Sequence, residues 1–281
     1  MFHHPYFDLQ LHDDAELAAI VGSKLVERIT LHEWPLSCVQ RIRTEDGRTR
    51  IYKVQAPPTV EPLFYARARS PLLVQAQVVE QAGAPPALLL EALTSPRLAD
   101  LKPSSVEALA MAHAVTEQIA RIEGELPAIA DIRTEAKWSS FVAALRDDLT
   151  ALVAGGAFQH VDVTLINRLL HCATAPAIFA ALRSPSGYVH LDLKSDNVFV
   201  LPDGYRVIDW QRPIWGPVAL DLASLIESLG LDPRPHVMEG VTPMLALLRI
   251  AWMAQCARHW FPPGVAIYDA SIARLAAQIE A

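Results

Sequence analysis

The stretch His190-Leu191-Asp192-Leu193-Lys194-Ser195-Asp196-Asn197, followed by Val198-Phe199-Val200-Leu201, the Asp203-Gly204 turn and Tyr205-Arg206-Val207-Ile208-Asp209-Trp210, decides how the rest of the chain is read. Two short apolar runs around a turn dipeptide predict a β-hairpin. Such a hairpin returns Asp209 to the side of Asn197 at its open end, so that a charged and a neutral oxygen ligand converge. That pair suits magnesium, which takes a few protein oxygens and completes its shell with phosphates and water. Asp192, five residues before Asn197, is placed to hold an acceptor hydroxyl in line with a terminal phosphate. The pattern implies a phosphoryl-transfer site.

The whole chain sets bounds on that reading. At 281 residues and 52% hydrophobic it is long enough for a large domain or two lobes around a sizeable core. The net charge of −7, with no Lys/Arg block, argues against nucleic acid or an anionic membrane as partner and is easier to reconcile with a neutral or cationic one. Cys38, Cys172 and Cys256 lie far apart, which supports neither a disulfide framework nor a thiolate metal site. The N-terminus lacks a basic segment followed by an apolar one, and the longest apolar stretch, 241–260, is interrupted by Pro243, Arg249, Gln255, Arg258 and His259. A soluble, cytoplasmic protein is expected. His3, His4 and His12 invite a metal reading, but without a matching carboxylate framework they are expected in a mobile, solvated tail.

Outward from the hairpin, the texture changes once. Residues 13–25 have helical spacing behind a possible Asp13 cap; from Val26 onward strands are expected, with 39–43 and 48–55 flanking Glu45-Asp46-Gly47 as a second hairpin. Residues 60–68 are a short helical candidate, and 73–80 and 86–93 are further strands. After Pro96 the chain becomes alanine-rich and helical, with helices expected over 104–123, 134–153, 163–182, 220–229, 243–260 and 267–279, interrupted only by the Asp203-Gly204 hairpin. Two unequal lobes, 1–93 and 94–281, are expected to leave a cleft for a ligand.

With these pieces in order, the chain resembles the protein-kinase-like superfamily, and within it the aminoglycoside phosphotransferase and choline kinase branch, over nearly its whole length. The resemblance implies an α+β, bilobal protein-kinase-like fold with a small antiparallel-sheet N-lobe and a larger, mainly helical C-lobe. It implies Asp192 as catalytic base, Asn197 and Asp209 as magnesium ligands, and Ile208-Asp209-Trp210 in place of Asp-Phe-Gly. Lys53 resembles the lysine that contacts the α and β phosphates, and Glu61 its ion-pair partner. Leu88 to Leu93 resembles the last small-lobe strand and hinge, with Glu91 and Leu93 where adenine meets backbone. Lys194 is a candidate for touching the γ-phosphate, His190 for a structural hydrogen bond behind the loop, and Asp221 for bracing the catalytic loop. The implied donor is ATP or GTP with Mg2+. The implied acceptors are aminoglycosides, choline or ethanolamine, homoserine-like metabolites or sugars.

Three departures shape the expectation. No Gly-x-Gly-x-x-Gly exists; the phosphate-covering loop falls on His32-Glu33-Trp34-Pro35-Leu36-Ser37, where Ser37 offers a backbone or hydroxyl contact. Leu191 stands where regulated protein kinases have arginine. Only eleven residues separate Asp209 from Asp221, too few for the long segment on which a protein kinase lays a peptide, so a small acceptor is expected. The glycine-free loop motivates one alternative, a nucleotide-binding pseudoenzyme acting as an interaction module. Trp138, Trp252 and Trp260 are candidates for an acceptor pocket, with core packing the expectation for at least two of them.

Overall fold

The computed structural model describes residues 1–81 and 83–279. The chain opens with β1 (Phe2–His3) and β2 (Gln10–Leu11), then α1 (Asp14–Val21). A reciprocal cap starts α1: the Asp13 carboxylate accepts from the Glu16 N–H, and the Glu16 carboxylate accepts from the Asp13 N–H, both at 2.9 Å. Then follow β3 (Leu25–Trp34), β4 (Ser37–Thr44), β5 (Thr49–Gln55), α2 (Glu61–Arg67), β6 (Ala76–Gln81), β7 (Ala84–Glu91) and α3 (Leu98–Leu101). After these come α4 (Ser105–Ile119), β8 (Ala130–Asp131), α5 (Glu135–Ala154), α6 (Val163–Ala173), α7 (Pro176–Leu182), β9 (Ser186–Val189), β10 (Val198–Leu201), β11 (Gly204–Val207), β12 (Ile214–Pro217), α8 (Ala219–Ser228), α9 (Val241–Gln255) and α10 (Val265–Ile279). An N-terminal antiparallel sheet followed by a mainly helical region is the α+β, protein-kinase-like arrangement expected.

The chain divides into two compact units. One comprises residues 1–102, 121–129 and 195–213. Its five-stranded sheet runs β3-β4-β5-β7-β6, antiparallel throughout. Because side chains alternate along a strand, the two faces of this sheet do different things. Cys38, Ile42, Tyr52, Val54 and Leu89 pack with Leu9, Leu11 and Leu17 from the N-terminal segment and α1. Ile51, Leu88 and Leu90 turn the other way, toward Tyr65 of α2, Val74, Leu93 and Ile208. Lys53 shares the second face, one residue out of step with Tyr52 and Val54. The β10–β11 hairpin is tied into this unit by the Val207 N–H, which donates to the Leu72 carbonyl at 2.8 Å, and by the Val200 N–H, which donates to that of Pro96 at 2.9 Å.

The second unit comprises residues 103–120, 130–194 and 214–281, and its helices gather around α9. Met244, Leu247, Ile250 and Ala254 of α9 are wholly buried. A three-stranded sheet, β8-β12-β9, also belongs here and was not expected. Its strands are two to four residues long and carry glycine and proline, too short for a periodicity to register. The single helix expected over 163–182 is two, α6 and α7. Pro176 has no N–H and forces Ala175 to an extended ψ of 146°, which breaks the run. The helix expected to reach Trp260 ends at Gln255 and widens into a π-helical turn over Cys256–Trp260.

Two further expectations are corrected. The strand expected over 73–80 starts only at Ala76, and Leu73 makes an isolated parallel bridge to Val207. The N-terminus is no solvated tail: β1 pairs with β2, and His4 and His12 are buried, His12 against the Tyr52 hydroxyl at 2.9 Å. Among the described residues no single helix is long and apolar enough to cross a membrane; α6 and α7 reach that composition only together, across a 51° bend.

Candidate active site

In the first unit the expected residues converge on Lys53. Alternation along β5 points Lys53 and Gln55 to the same face, and α2 begins with Glu61 beside them. The Lys53 ammonium is 2.5 Å from Glu61 Oε2 and 2.6 Å from Asp209 Oδ1. Glu61 is wholly buried and Lys53 nearly so, while Asp209 keeps about a third of its side chain exposed. Burial alone would lower the lysine pKa, but Asp209 and then Glu61 outweigh it, so Lys53 stays charged and its pKa rises. Glu61 and Asp209 meet the Lys53 ammonium from two elements, and Asp209 turns part of its carboxylate to solvent. An accessible carboxylate at such a cluster is a candidate cation ligand.

The hairpin supplies the neighbouring oxygen donor. Val198 pairs with Val207, and the Ile208 N–H donates to the Asn197 carbonyl at 3.0 Å, so residues 197 and 208–209 lie side by side at the open end. Asp209 has φ +72°, a left-handed backbone that a non-glycine residue adopts at a cost. Its surroundings hold it there. The Trp210 N–H donates to Glu61 Oε1 at 3.0 Å, the Trp210 indole stacks on Phe64 at 4.5 Å and donates to the Val207 carbonyl, and the Gln211 amide donates to Asp209 at 2.5 Å. Gln55 adds a short hydrogen bond to Glu61. Trp210, Phe64, Gln55 and Gln211 are therefore parts of this site that the sequence reading left without a role. Gln55 two residues after Lys53, and Phe64 three after Glu61, were the available signals.

The remaining nucleotide-side candidates are also in this unit. Ser37 is fully buried where β4 begins, and its hydroxyl oxygen accepts from the Trp34 indole at 2.8 Å across a two-residue Pro35-Leu36 turn. Glu91 ends β7, its N–H donating to the Gln75 carbonyl at 2.9 Å. Leu93 packs half-buried with Ile51 and Ile208, an apolar strip on the Lys53 face. Tyr65, four residues along α2 from Glu61, has a buried hydroxyl with no hydrogen-bond partner among the described residues. Burial, and then the charges of Glu61 and Asp209, push that phenol well above its usual pKa.

The second unit holds the other half of the expected set. The Asp221 carboxylate, at the start of α8, accepts from the His190 N–H at 2.7 Å and the Leu191 N–H at 2.9 Å. Leu191 has φ +69°, so the fully enclosed carboxylate secures a strained backbone immediately before Asp192. Burial pushes the Asp221 carboxyl up to about 6, against the pull of His190 and the two N–H donors. Asp192 itself is about a quarter exposed and pairs with the half-exposed Lys194 at 2.8 Å. The tryptophans divide: Trp138 is buried and donates to the Ala173 carbonyl, while Trp252 and Trp260 are half-buried.

A family model described as the phosphotransferase enzyme family matches residues 40–244. A comparison with curated proteins finds no significant sequence match. Among solved structures, a choline/ethanolamine kinase family protein from Mesorhizobium loti superposes with a TM-score of 0.63 at 16% identity, covering 95% of this chain and 94% of that one. A spectinomycin phosphotransferase bound to ADP and spectinomycin gives 0.56 at 12% identity, covering 96% and 99%. The GDP complex of an aminoglycoside 2'-phosphotransferase gives 0.61 at 11% identity, covering 95% and 97%. At these identities the superpositions establish the protein-kinase-like fold, and with the family model spanning most of the sequence, the chain belongs to the phosphotransferase enzyme family.

Proposed function

We propose that the protein is a cytoplasmic, magnesium-dependent kinase that moves the γ-phosphoryl group of ATP or GTP to a hydroxyl of a small molecule. The observation that carries this is the Lys53–Glu61–Asp209 cluster, whose partly exposed Asp209 carboxylate lies beside the Asn197 end of the β10–β11 hairpin. Asp209 and Asn197 offer the hard oxygen donors that magnesium prefers, which fits the residues present. When bound, the ion supplies charge neutralisation on the transferring phosphates. Relatives that hold ADP or GDP support a nucleoside diphosphate product.

Each chain residue then has a task. Lys53, held by Glu61, reads the α and β phosphates; Ser37 contributes from the covering turn; Glu91 and Leu93 receive the base. Asp192 takes the hydroxyl proton of the acceptor and orients its oxygen, so catalysis is mostly placement and charge compensation. Lys194 pairs with Asp192 at 2.8 Å; in this reading its half-exposed side chain moves to the γ-phosphate when nucleotide binds, which releases the carboxylate to act as base. In this reading residues 1–93 cover the nucleotide and 94–281 carry the acceptor.

The acceptor is a small hydroxyl compound, with a cationic aminoglycoside or choline-like amine favoured by the acidic net charge. The test is magnesium-dependent consumption of ATP and GTP against a panel of aminoglycosides, amino alcohols, sugars and mixed peptides. Labelling of peptides alone would overturn the small-acceptor reading. Nucleotide binding without turnover on any acceptor would favour the pseudoenzyme, which the glycine-free turn with its engaged Ser37 hydroxyl suggests.

A further inference from the structure

His4 has no part in the proposed reaction, yet the fold buries it. The β1–β2 pairing turns the segment back on itself, the His4 N–H donates to the Leu9 carbonyl at 2.8 Å, and the ring stacks on Phe7 at 5.1 Å. Its Nε2 is 3.0 Å from Glu33 Oε2. Glu33 sits directly opposite Cys38 across the β3–β4 hairpin, and directly opposed residues present their side chains to the same face. One ligand atom from each of His4, Glu33 and Cys38 therefore falls within 4.8 Å of the other two.

The donor set is specific in kind. Magnesium takes oxygens, whereas an imidazole nitrogen, a thiolate and a carboxylate together suit zinc and its chemical relatives. We propose that His4, Glu33 and Cys38 form a zinc-type cation site that clips the N-terminal hairpin to the β3–β4 hairpin. Zinc bonds of the usual length place tetrahedral donors about 3.3–3.8 Å apart, so the cluster must contract by about an ångström. Glu33, whose side chain is 42% exposed, can supply that movement. The same exposure leaves the fourth position open to water, while His4 and Cys38 form a buried wall.

Capture of the cation has definite consequences. It replaces the His4–Glu33 hydrogen bond, moves the imidazole proton to Nδ1, and gives up the long 3.3 Å bond that Nδ1 now accepts from the Tyr6 N–H. The Cys38 proton leaves to solvent. Burial, and then the charge of Glu33, keep that thiol protonated up to about 11, a cost that the cation must offset by bonding to sulfur. Glu33 and Cys38 flank the Trp34-to-Ser37 turn, so the cation would stiffen that turn.

The test uses the purified full chain and cobalt(II) alone, without nucleotide, so its outcome is independent of the phosphotransferase reading. Wild type is expected to bind one cobalt with a thiolate-to-metal charge-transfer band in the near ultraviolet, displaced by zinc. Cys38→Ser should lose the band, Glu33→Gln and His4→Asn should weaken cobalt binding by about tenfold or more, and His3→Asn, on an exposed neighbour, should leave it unchanged. If Cys38→Ser fails to fold, the partly exposed Glu33→Gln still reads the site, with circular dichroism reporting its fold. A wild type without the band, a band that survives Cys38→Ser, or undiminished binding in Glu33→Gln would overturn the proposal.

Discussion

The two groups of candidate residues, one in each unit, solve opposite electrostatic problems. Around Lys53 the first unit buries Lys53 and Glu61 against each other and sets the partly exposed Asp209 on the same ammonium. Around Asp192 the second unit leaves an ion pair half in water and spends the enclosed Asp221 carboxylate on backbone N–H groups. A buried cluster has little freedom to reorganise, which suits a partner of constant charge such as a phosphate chain with its metal. An exposed aspartate on a strained, clamped backbone keeps its direction while its solvation and partner change, which suits transfer of a proton from a variable acceptor. The difference can be broken residue by residue.

Asp192→Asn should give the largest effect. The carboxylate acts on the acceptor in the proposed reaction, so turnover should fall by about 10²- to 10⁴-fold while nucleotide affinity and unfolding midpoint stay near wild type, because the side chain is partly solvated. Titration calorimetry with a nonhydrolysable nucleotide and a coupled turnover assay separate the two. Retention of turnover would remove Asp192 from the role of base.

Lys53→Ala should behave differently, as a change in the buried half. Removing the Lys53 ammonium takes from the wholly buried Glu61 its ion-pair partner, and breaking a buried pair in this way costs about 3–5 kcal/mol of stability. Urea denaturation measures it. A loss within about 0.5 kcal/mol, the range of a surface residue, would show that the cluster is not held together in solution.

How much of this contrast was legible in the sequence depends on residue spacing. The β10–β11 hairpin and the residues at its open end were readable because a turn dipeptide between apolar runs fixes register within a few residues. Lys53 was placed on the right strand for the same reason, after the Asp46-Gly47 turn. The brace from Trp210 and Phe64 to Glu61 was not readable, since a stack and a backbone hydrogen bond across 149 residues leave no local pattern. Nor was the meeting of His4 with Glu33 and Cys38, which depends on how a two-residue strand folds back over the sheet. The β8-β12-β9 sheet escaped because glycines there serve packing, not turns: a Cβ on Gly187 would come within 2.9 Å of Val218 and one on Gly216 within 3.0 Å of Ile132.

A smaller effect is expected from pH, and it probes the clamped half. The fold holds the Asp221 proton up to about 6, against about 3.9 for a free aspartate, so the folded state binds that proton more tightly than the unfolded chain does. Its contribution is then fully present below about pH 4 and is lost as pH rises through about 6. Stability of wild type relative to Asp221→Asn should therefore decline across that interval and level off above it. A difference that instead grows with pH would mean that His190 and the two N–H donors, not burial, decide the charge of Asp221.

The smallest effect should come from Tyr65→Phe, which tests how complete the buried half is. The Tyr65 hydroxyl, like Gln55 Oε1, is enclosed without a hydrogen-bond partner among the described residues, and it lies beside Glu61 and Asp209. An unsatisfied buried hydroxyl is unfavourable, so its deletion should leave stability unchanged or raise it by up to about 1 kcal/mol. The raised pKa keeps the phenol a neutral donor across the working pH range, able to give a hydrogen bond but not to take a charge. If the nucleotide or its metal-bound phosphates never reach it, affinity and turnover should stay within about twofold of wild type. A loss of about tenfold or more in nucleotide affinity, with stability unchanged, would instead show that the hydroxyl is held in reserve for the bound ligand. The buried half would then be incomplete until nucleotide arrives, and its contrast with the solvated Asp192 half would narrow.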